Sequence, residues 1–146
     1  MSPRTLRVAV VAGSVSLWLL ALALPAVLVK HAGGALDAYS GWRCLVSGAF
    51  AIFLGVPAWF GNLSLFAAWV LLLAGFPRVS LTLAVTSLAL GATSFMLEGR
   101  NIPINEGGVN DDIGRGVGLG FVVWMSSMLV LAIGTFVVRL PERARR

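Results

Sequence analysis

The sequence predicts an all-α membrane protein: a four-transmembrane-helix bundle with an additional short re-entrant or interfacial half-helix before the second span. Three observations predict it. Of the 146 residues, 58% are hydrophobic and only 12% are charged, against about 25% charged in a soluble domain. The charges flank long apolar runs and are not spread along the chain. The runs have the length a bilayer asks for, about 20 residues rising about 1.5 Å each through a core of about 30 Å. The size suits a single domain.

The first span is expected over residues 8–29, with Pro25 in its last turns as a source of a kink. Arg4 and Arg7 ahead of the run, and Ala21-Leu22-Ala23 within it, resemble a secretory signal peptide. The run exceeds the apolar stretch of such peptides, about 7–15 residues, so an uncleaved helix is expected. A polar external loop follows over residues 30–43, containing Gly33-Gly34 and Asp37.

The next apolar stretch, residues 44–76, is too long for one straight span and too short for two. Pro57 divides it. Residues 44–56 have the length of a re-entrant, interfacial or buried half-helix. Residues 59–76 make the second span. Trp42 and Trp59 bracket the short helix, as aromatic residues do at a membrane interface.

Pro77-Arg78 is expected to be a tight turn. The third span is expected over residues 79–97. Its Ser80, Thr82, Thr86, Ser87, Thr93 and Ser94 carry hydroxyls able to bond back to their own helix. A polar external loop covers residues 98–116, with Ile102-Pro103, Asn105-Glu106-Gly107-Gly108 and Asp111-Asp112. The fourth span is expected over residues 117–138, and residues 139–146 form a tail.

Charge sets the orientation. Arg4, Arg7, Arg78, Arg139, Arg143, Arg145 and Arg146 fall on one side, with Glu142 the only acid there. Lys30, Arg43, Arg100 and Arg115 fall on the other, offset by Asp37, Glu98, Glu106, Asp111 and Asp112. The positive-inside rule places both termini and the Arg78 turn in the cytoplasm. The formal net charge of +5 is thus a topology signal. No basic stripe interleaves with aromatics as a nucleic-acid surface would require.

Few constellations carry chemistry. No charged residue lies deep in a span, which argues against a proton-coupled carrier. A pore lined by hydroxyls or carbonyls is still open to an oligomer. His31, the only histidine, is a candidate ligand for haem, a pigment or a metal; the plainer reading is a solvated interfacial residue. Glu106, Asp111 and Asp112 with Asn105 and Asn110 could gather calcium, but the spacing is not that of an EF-hand, and a solvated turn is the plainer reading. Cys44 is the only cysteine. It forms no internal disulfide and reads as a small buried residue at a helix start. No cofactor or metal is expected. No nucleophile, base and orienting group stand together; Tyr39, Arg43, Glu98, Arg100 and Glu106 share the external side without a readable arrangement. No enzymatic activity is expected.

Gly114, Gly116, Gly118 and Gly120 alternate at the start of the fourth span. A nucleotide-binding glycine loop needs a preceding strand and a soluble helix after it, so that reading is set aside. On a helix these glycines form small-xxx-small pairs, Gly114 with Gly118 and Gly116 with Gly120, which let two backbones approach closely. The favoured partner is another helix of the same chain. Asn62 lies just inside the second span, where an unpaired amide would cost about 1–3 kcal/mol. It is expected to bond the broken backbone near Pro57 or a neighbouring helix, and Ser126 and Ser127 a helix neighbour. Asn62-Leu63-Ser64 fits a glycosylation pattern only formally.

Gly41-Trp42-Arg43-Cys44-Leu45, Trp59-Phe60-Gly61-Asn62, and Asn105-Glu106-Gly107-Gly108 followed by Gly118-Leu119-Gly120-Phe121, Trp124 and Ser126 together resemble a loose group of small, uncharacterised bacterial four-helix membrane proteins. The resemblance covers about residues 41–127. It implies the fold and a multi-pass position in the bacterial cytoplasmic (inner) membrane, not an activity. A second likeness, to the claudin and tetraspan type with Trp and Cys in the first external loop, is set aside: the chain lacks a second cysteine and a long strand-rich loop.

The expected role is a structural or accessory subunit of a larger membrane complex, with other membrane-protein subunits, a second copy of itself and lipid as partners. The alternative is a homo-oligomeric channel or small-solute transporter built around the Gly55–Pro57 break. A further alternative is a pigment or haem carrier using His31.

Overall fold

The computed structural model describes residues 2–31, 33–103 and 111–143. It is mostly helical. Among the described residues, three helices are long and apolar enough to cross a membrane, at Arg4–Ala23, Pro77–Leu97 and Leu119–Leu140. It is not all-α, because four strands form one antiparallel sheet.

Helix α1 (Pro3–Ala23) starts at Ser2, whose hydroxyl accepts from the Thr5 amide at 3.1 Å. It stops at Leu24, which is extended, as the residue before a proline tends to be. The expected first span over residues 8–29 is therefore cut short, and Pro25–Lys30 form strand β1. Pro25 cannot donate to a helix and its ring crowds the preceding turn. Val27 and Val29 are β-branched and suit a pleated surface.

Strand β2 (Leu36–Ser40) folds back on β1, pairing Val27 with Tyr39 and Val29 with Asp37. Strands β3 (Asn101–Pro103) and β4 (Asp111–Val117) come from the second inter-helix segment, and β4 pairs with β1. The order is β2-β1-β4-β3. Both segments expected as loops, 30–43 and 98–116, thus contribute to one sheet. The ground of absent strands, on which the claudin type was set aside, does not hold; the second cysteine is still lacking.

Helix α2 (Gly41–Ser47) follows β2 directly, capped where the Ser40 hydroxyl accepts from the Arg43 amide at 3.3 Å. A 3-10 segment, Gly48–Leu54, continues it to Gly55, whose φ of 74° is open to glycine and ends the element. This arm starts before the expected residue 44, and none of its residues is buried. A 3-10 turn at Pro57–Trp59 opens α3 (Phe60–Leu73). The apolar helix Pro57–Leu73 is shorter than the other three and ends before the expected residue 76.

Helix α4 (Pro77–Ala92) begins at Pro77 itself, in the first-turn position where proline's missing N–H costs nothing. A 3-10 segment, Thr93–Leu97, extends it. Helix α5 (Leu119–Arg143) begins two residues later than the expected fourth span and runs past its expected end.

Consecutive long helices run antiparallel. Helix α5 packs against α1 and α4, and α3 against α4. Leu65, Leu72, Met128 and Leu131 are fully buried at the centre. Serine hydroxyls tie α3 to α4: Ser64 donates to the Leu83 carbonyl, Ser80 to Ala68 and Ser87 to Gly61, each at 2.8 Å. Ser80 and Ser87 thus cross to the neighbour and do not bond back, whereas Thr82 and Thr93 do bond back, to Arg78 and Leu90. The Ser126 and Ser127 hydroxyls donate to their own helix at Val122 and Trp124, while the Ser127 carbonyl makes the expected contact with a neighbouring helix, accepting from the Ser14 hydroxyl of α1 at 2.7 Å.

Candidate functional site

The sheet carries a polar cluster that joins its two source segments. Tyr39 on β2 is nearly buried, and its hydroxyl donates to Asp112 Oδ2 on β4 at 2.5 Å. Asp112 is fully buried. Its other oxygen meets His31 Nδ1 at 2.6 Å, just past the end of β1. His31 Nε2 faces Asp37 Oδ2 at 3.2 Å. The Arg43 guanidinium lies over the Tyr39 ring, 3.7 Å from its centroid.

Both imidazole nitrogens therefore face carboxylate oxygens. A neutral ring would set one lone pair against a negative oxygen, so the geometry selects the imidazolium. The hydrogen bond to Asp112 and then that to Asp37 raise the His31 pKa above its ordinary 6.5. Burial pushes Asp112 upward, but the bonds from Tyr39 and His31 outweigh it and hold the carboxyl below its ordinary value. The Ala38 amide and His31 lower Asp37. Burial, then the bond to Asp112, pushes the Tyr39 phenol up to about 12 and keeps it a donor.

Between the sheet, the arm and the bundle lies a cavity of about 890 Å³. Ala26 and Tyr39 of the sheet, Ala51 and Leu54 of the arm, and Trp18 and Trp124 of the bundle are among its walls. The lining is predominantly apolar, and Arg43 is its one charged residue among the described residues. Trp59 holds the arm against the bundle by donating from Nε1 to the Leu45 carbonyl at 2.6 Å. Arg100 donates to the Leu54 carbonyl at the far end of the arm.

Asn62 sits on the floor of this cavity. Its Oδ1 accepts from Trp18 Nε1 at 3.0 Å and from Trp124 Nε1 at 2.9 Å, and its Nδ2 donates to the Trp59 carbonyl at 3.3 Å. Both expected partners are therefore present at once, the backbone beside Pro57 and the neighbouring helices.

The four glycines do not lie on one helix face. Gly114 and Gly116 belong to β4, Gly118 joins it to α5, and Gly120 is in α5. Three of them, Gly114, Gly118 and Gly120, still permit close approach within the chain, whereas nothing lies within 4 Å of a Cβ on Gly116, whose φ is 130°. A Cβ on Gly114 would come 2.1 Å from the Leu97 carbonyl oxygen, one on Gly118 2.4 Å from that of Pro25, and one on Gly120 2.7 Å from that of Leu24. These contacts fasten the sheet to the bundle. Of the four, Gly120 packs α5 against the end of α1, a Cβ there lying 3.1 Å from the Ala21 carbonyl oxygen, and Gly91 against Met125 and Gly134 against Val10 are further helix-packing glycines.

His31 is not a lone solvated residue but part of the cluster. Asp112, one of the candidate calcium ligands, is engaged by Tyr39 and His31; Asn105, Glu106 and Asn110 lie outside the described residues. Among the described residues no group is placed to hold a metal ion. Cys44 lines the cavity and is half-buried. The sequence reading missed Tyr39, Asp37 and Asp112 as partners. A signal existed: the chain's only histidine and only tyrosine lie within one hairpin, His31 just past β1 and Tyr39 in β2.

No family model, curated protein or solved structure matches the chain.

Proposed function

We propose that this chain is a four-span protein of the bacterial inner membrane, with both termini cytoplasmic, acting as a structural or accessory subunit of a larger membrane complex. The Pro57–Leu73 helix, packed among three longer apolar helices, is the remaining span. The arginine distribution supports this orientation, in which the sheet lies on the external side.

The observation that carries the role is the arm. Trp42, Val46, Phe50 and Phe53 are all more than half exposed. They form an exposed apolar ridge on an arm too short to span, and the ridge borders the cavity between the arm and the bundle. The occupant that suits this ridge is an apolar helix face of another membrane protein, packing by shape and van der Waals contact. A channel through a single bundle is less well supported, since Leu65, Leu72, Met128 and Leu131 fill its centre; a channel between copies would instead show as conductance in reconstituted liposomes. The carrier alternative is weakened by the engagement of both His31 nitrogens.

The test is extraction in mild detergent, followed by mass measurement of the particle. The expected result is a fixed ratio of this chain to a second membrane protein, lost in a Phe50→Ser/Phe53→Ser variant. A wild-type particle that is always a lone monomer removes the proposal.

A further inference from the structure

The same arm residues, Trp42, Val46, Phe50 and Phe53, also border the cavity of about 890 Å³, within the span of about 300–1,000 Å³ common to small-molecule sites. A void of this size lined by apolar walls forfeits packing contacts unless something fills it.

We infer that this chamber holds an acyl chain of an anionic bilayer phospholipid, with the headgroup phosphate against Arg43. The inference rests on the membrane placement proposed above, though not on the accessory role. The arm's exposed apolar residues put hydrocarbon, not water, beside the chamber. The deep end offers a chain rather than a polar group its best fit, because Asn62 is already engaged through both of its side-chain polar atoms. The charge sits at one place only. Arg43 is exposed, and its guanidinium stacks on Tyr39 by a face, whereas its donors lie in the guanidinium plane, the geometry that matches a phosphate. The neighbouring Trp42 is exposed too, as expected at the headgroup level. The chemistry is therefore that of an amphiphile: hydrocarbon inside, one anion at the mouth.

Tryptophan fluorescence reads this directly, because Trp18, Trp59 and Trp124 line the chamber. The delipidated protein in detergent is titrated with phosphatidylglycerol carrying brominated chains, and separately with phosphatidylcholine carrying the same chains. The expected result is saturable quenching by phosphatidylglycerol at about one lipid per protein, with weaker binding of phosphatidylcholine. Arg43→Gln should weaken phosphatidylglycerol about tenfold, the loss of one charge-assisted contact, and leave phosphatidylcholine unchanged. Ala51→Phe, which fills the chamber, should abolish saturation for both lipids. Melting curves of the two variants establish that they are folded, and Arg43→Gln keeps the test decisive where Ala51→Phe does not fold. Quenching that never saturates in the wild type, or phosphatidylglycerol affinity unaltered by Arg43→Gln, overturns the inference. Resistance of the same protein to carbonate extraction tests the membrane placement separately.

Discussion

Asn62 is the polar centre of an otherwise apolar meeting of three helices. It receives two indole N–H groups and returns one amide N–H to the backbone beside Pro57. Replacing it by leucine keeps volume but strands the part-buried indole N–H groups of Trp18 and Trp124, each lost partner costing up to about 1–3 kcal/mol. Asn62→Leu should lower the melting temperature in detergent and alter tryptophan emission. Unchanged melting would mean that the indoles find other acceptors at no cost.

The His31 cluster makes a pH prediction at the same scale. His31 is raised, so its contribution is complete below 6.5 and is lost as pH rises through the raised value. Asp112 and Asp37 are lowered, so theirs is complete above 3.8 and is lost as pH falls through the lowered values. Stability should form a plateau between these limits and decline on both sides. Melting temperatures across pH check this. His31→Gln should flatten the alkaline limb, and an alkaline limb identical in the wild type and His31→Gln would contradict the assignment.

Among the elements, the sheet depends on close backbone contact. Gly118 stands where β4 turns into α5, with the Pro25 carbonyl too near for any Cβ. Gly118→Ala should separate β1 from the start of α5 and lower stability by about 1–3 kcal/mol, as overpacking does. Gly99→Ala is a useful contrast, since nothing lies near a Cβ there although its φ is 74°: it should cost only the backbone strain. Equal damage from both would argue that conformation, not contact, sets the Gly118 requirement.

The helices were legible in the sequence because apolar length is what a span needs, and the break at Pro57 was legible because proline lacks a donor. The strands were not. Val27, Leu28 and Val29 are as apolar in β1 as they would be in a helix, so hydropathy ran the first span on to residue 29. Their partners, Ile113 to Val117, lie far along the chain in a glycine-rich stretch that carries no alternating pattern. The alternation of Gly114, Gly116 and Gly118 was visible, but helical spacing was imposed on a strand. For the site, Asn62 was legible as a polar residue in an apolar run. The Tyr39–Asp112–His31 cluster was not, because only the pairing of β1 with both β2 and β4 brings its members together.

At the scale of the whole molecule, one arrangement underlies both proposed roles. The two segments between the long helices form a single sheet at one end of the bundle, with the arm beside it, and the proposed topology puts that end at the external face of the membrane. Both the docking ridge and the lipid chamber follow from that end facing outward. The most direct measurement is side-specific labelling by a membrane-impermeant maleimide on intact cells, in a Cys44→Ser background. Leu36→Cys, on the highly exposed start of β2, should label without permeabilisation, and Arg78→Cys, at the opposite end, only after it. Labelling of Arg78→Cys in intact cells while Leu36→Cys stays protected would contradict the account.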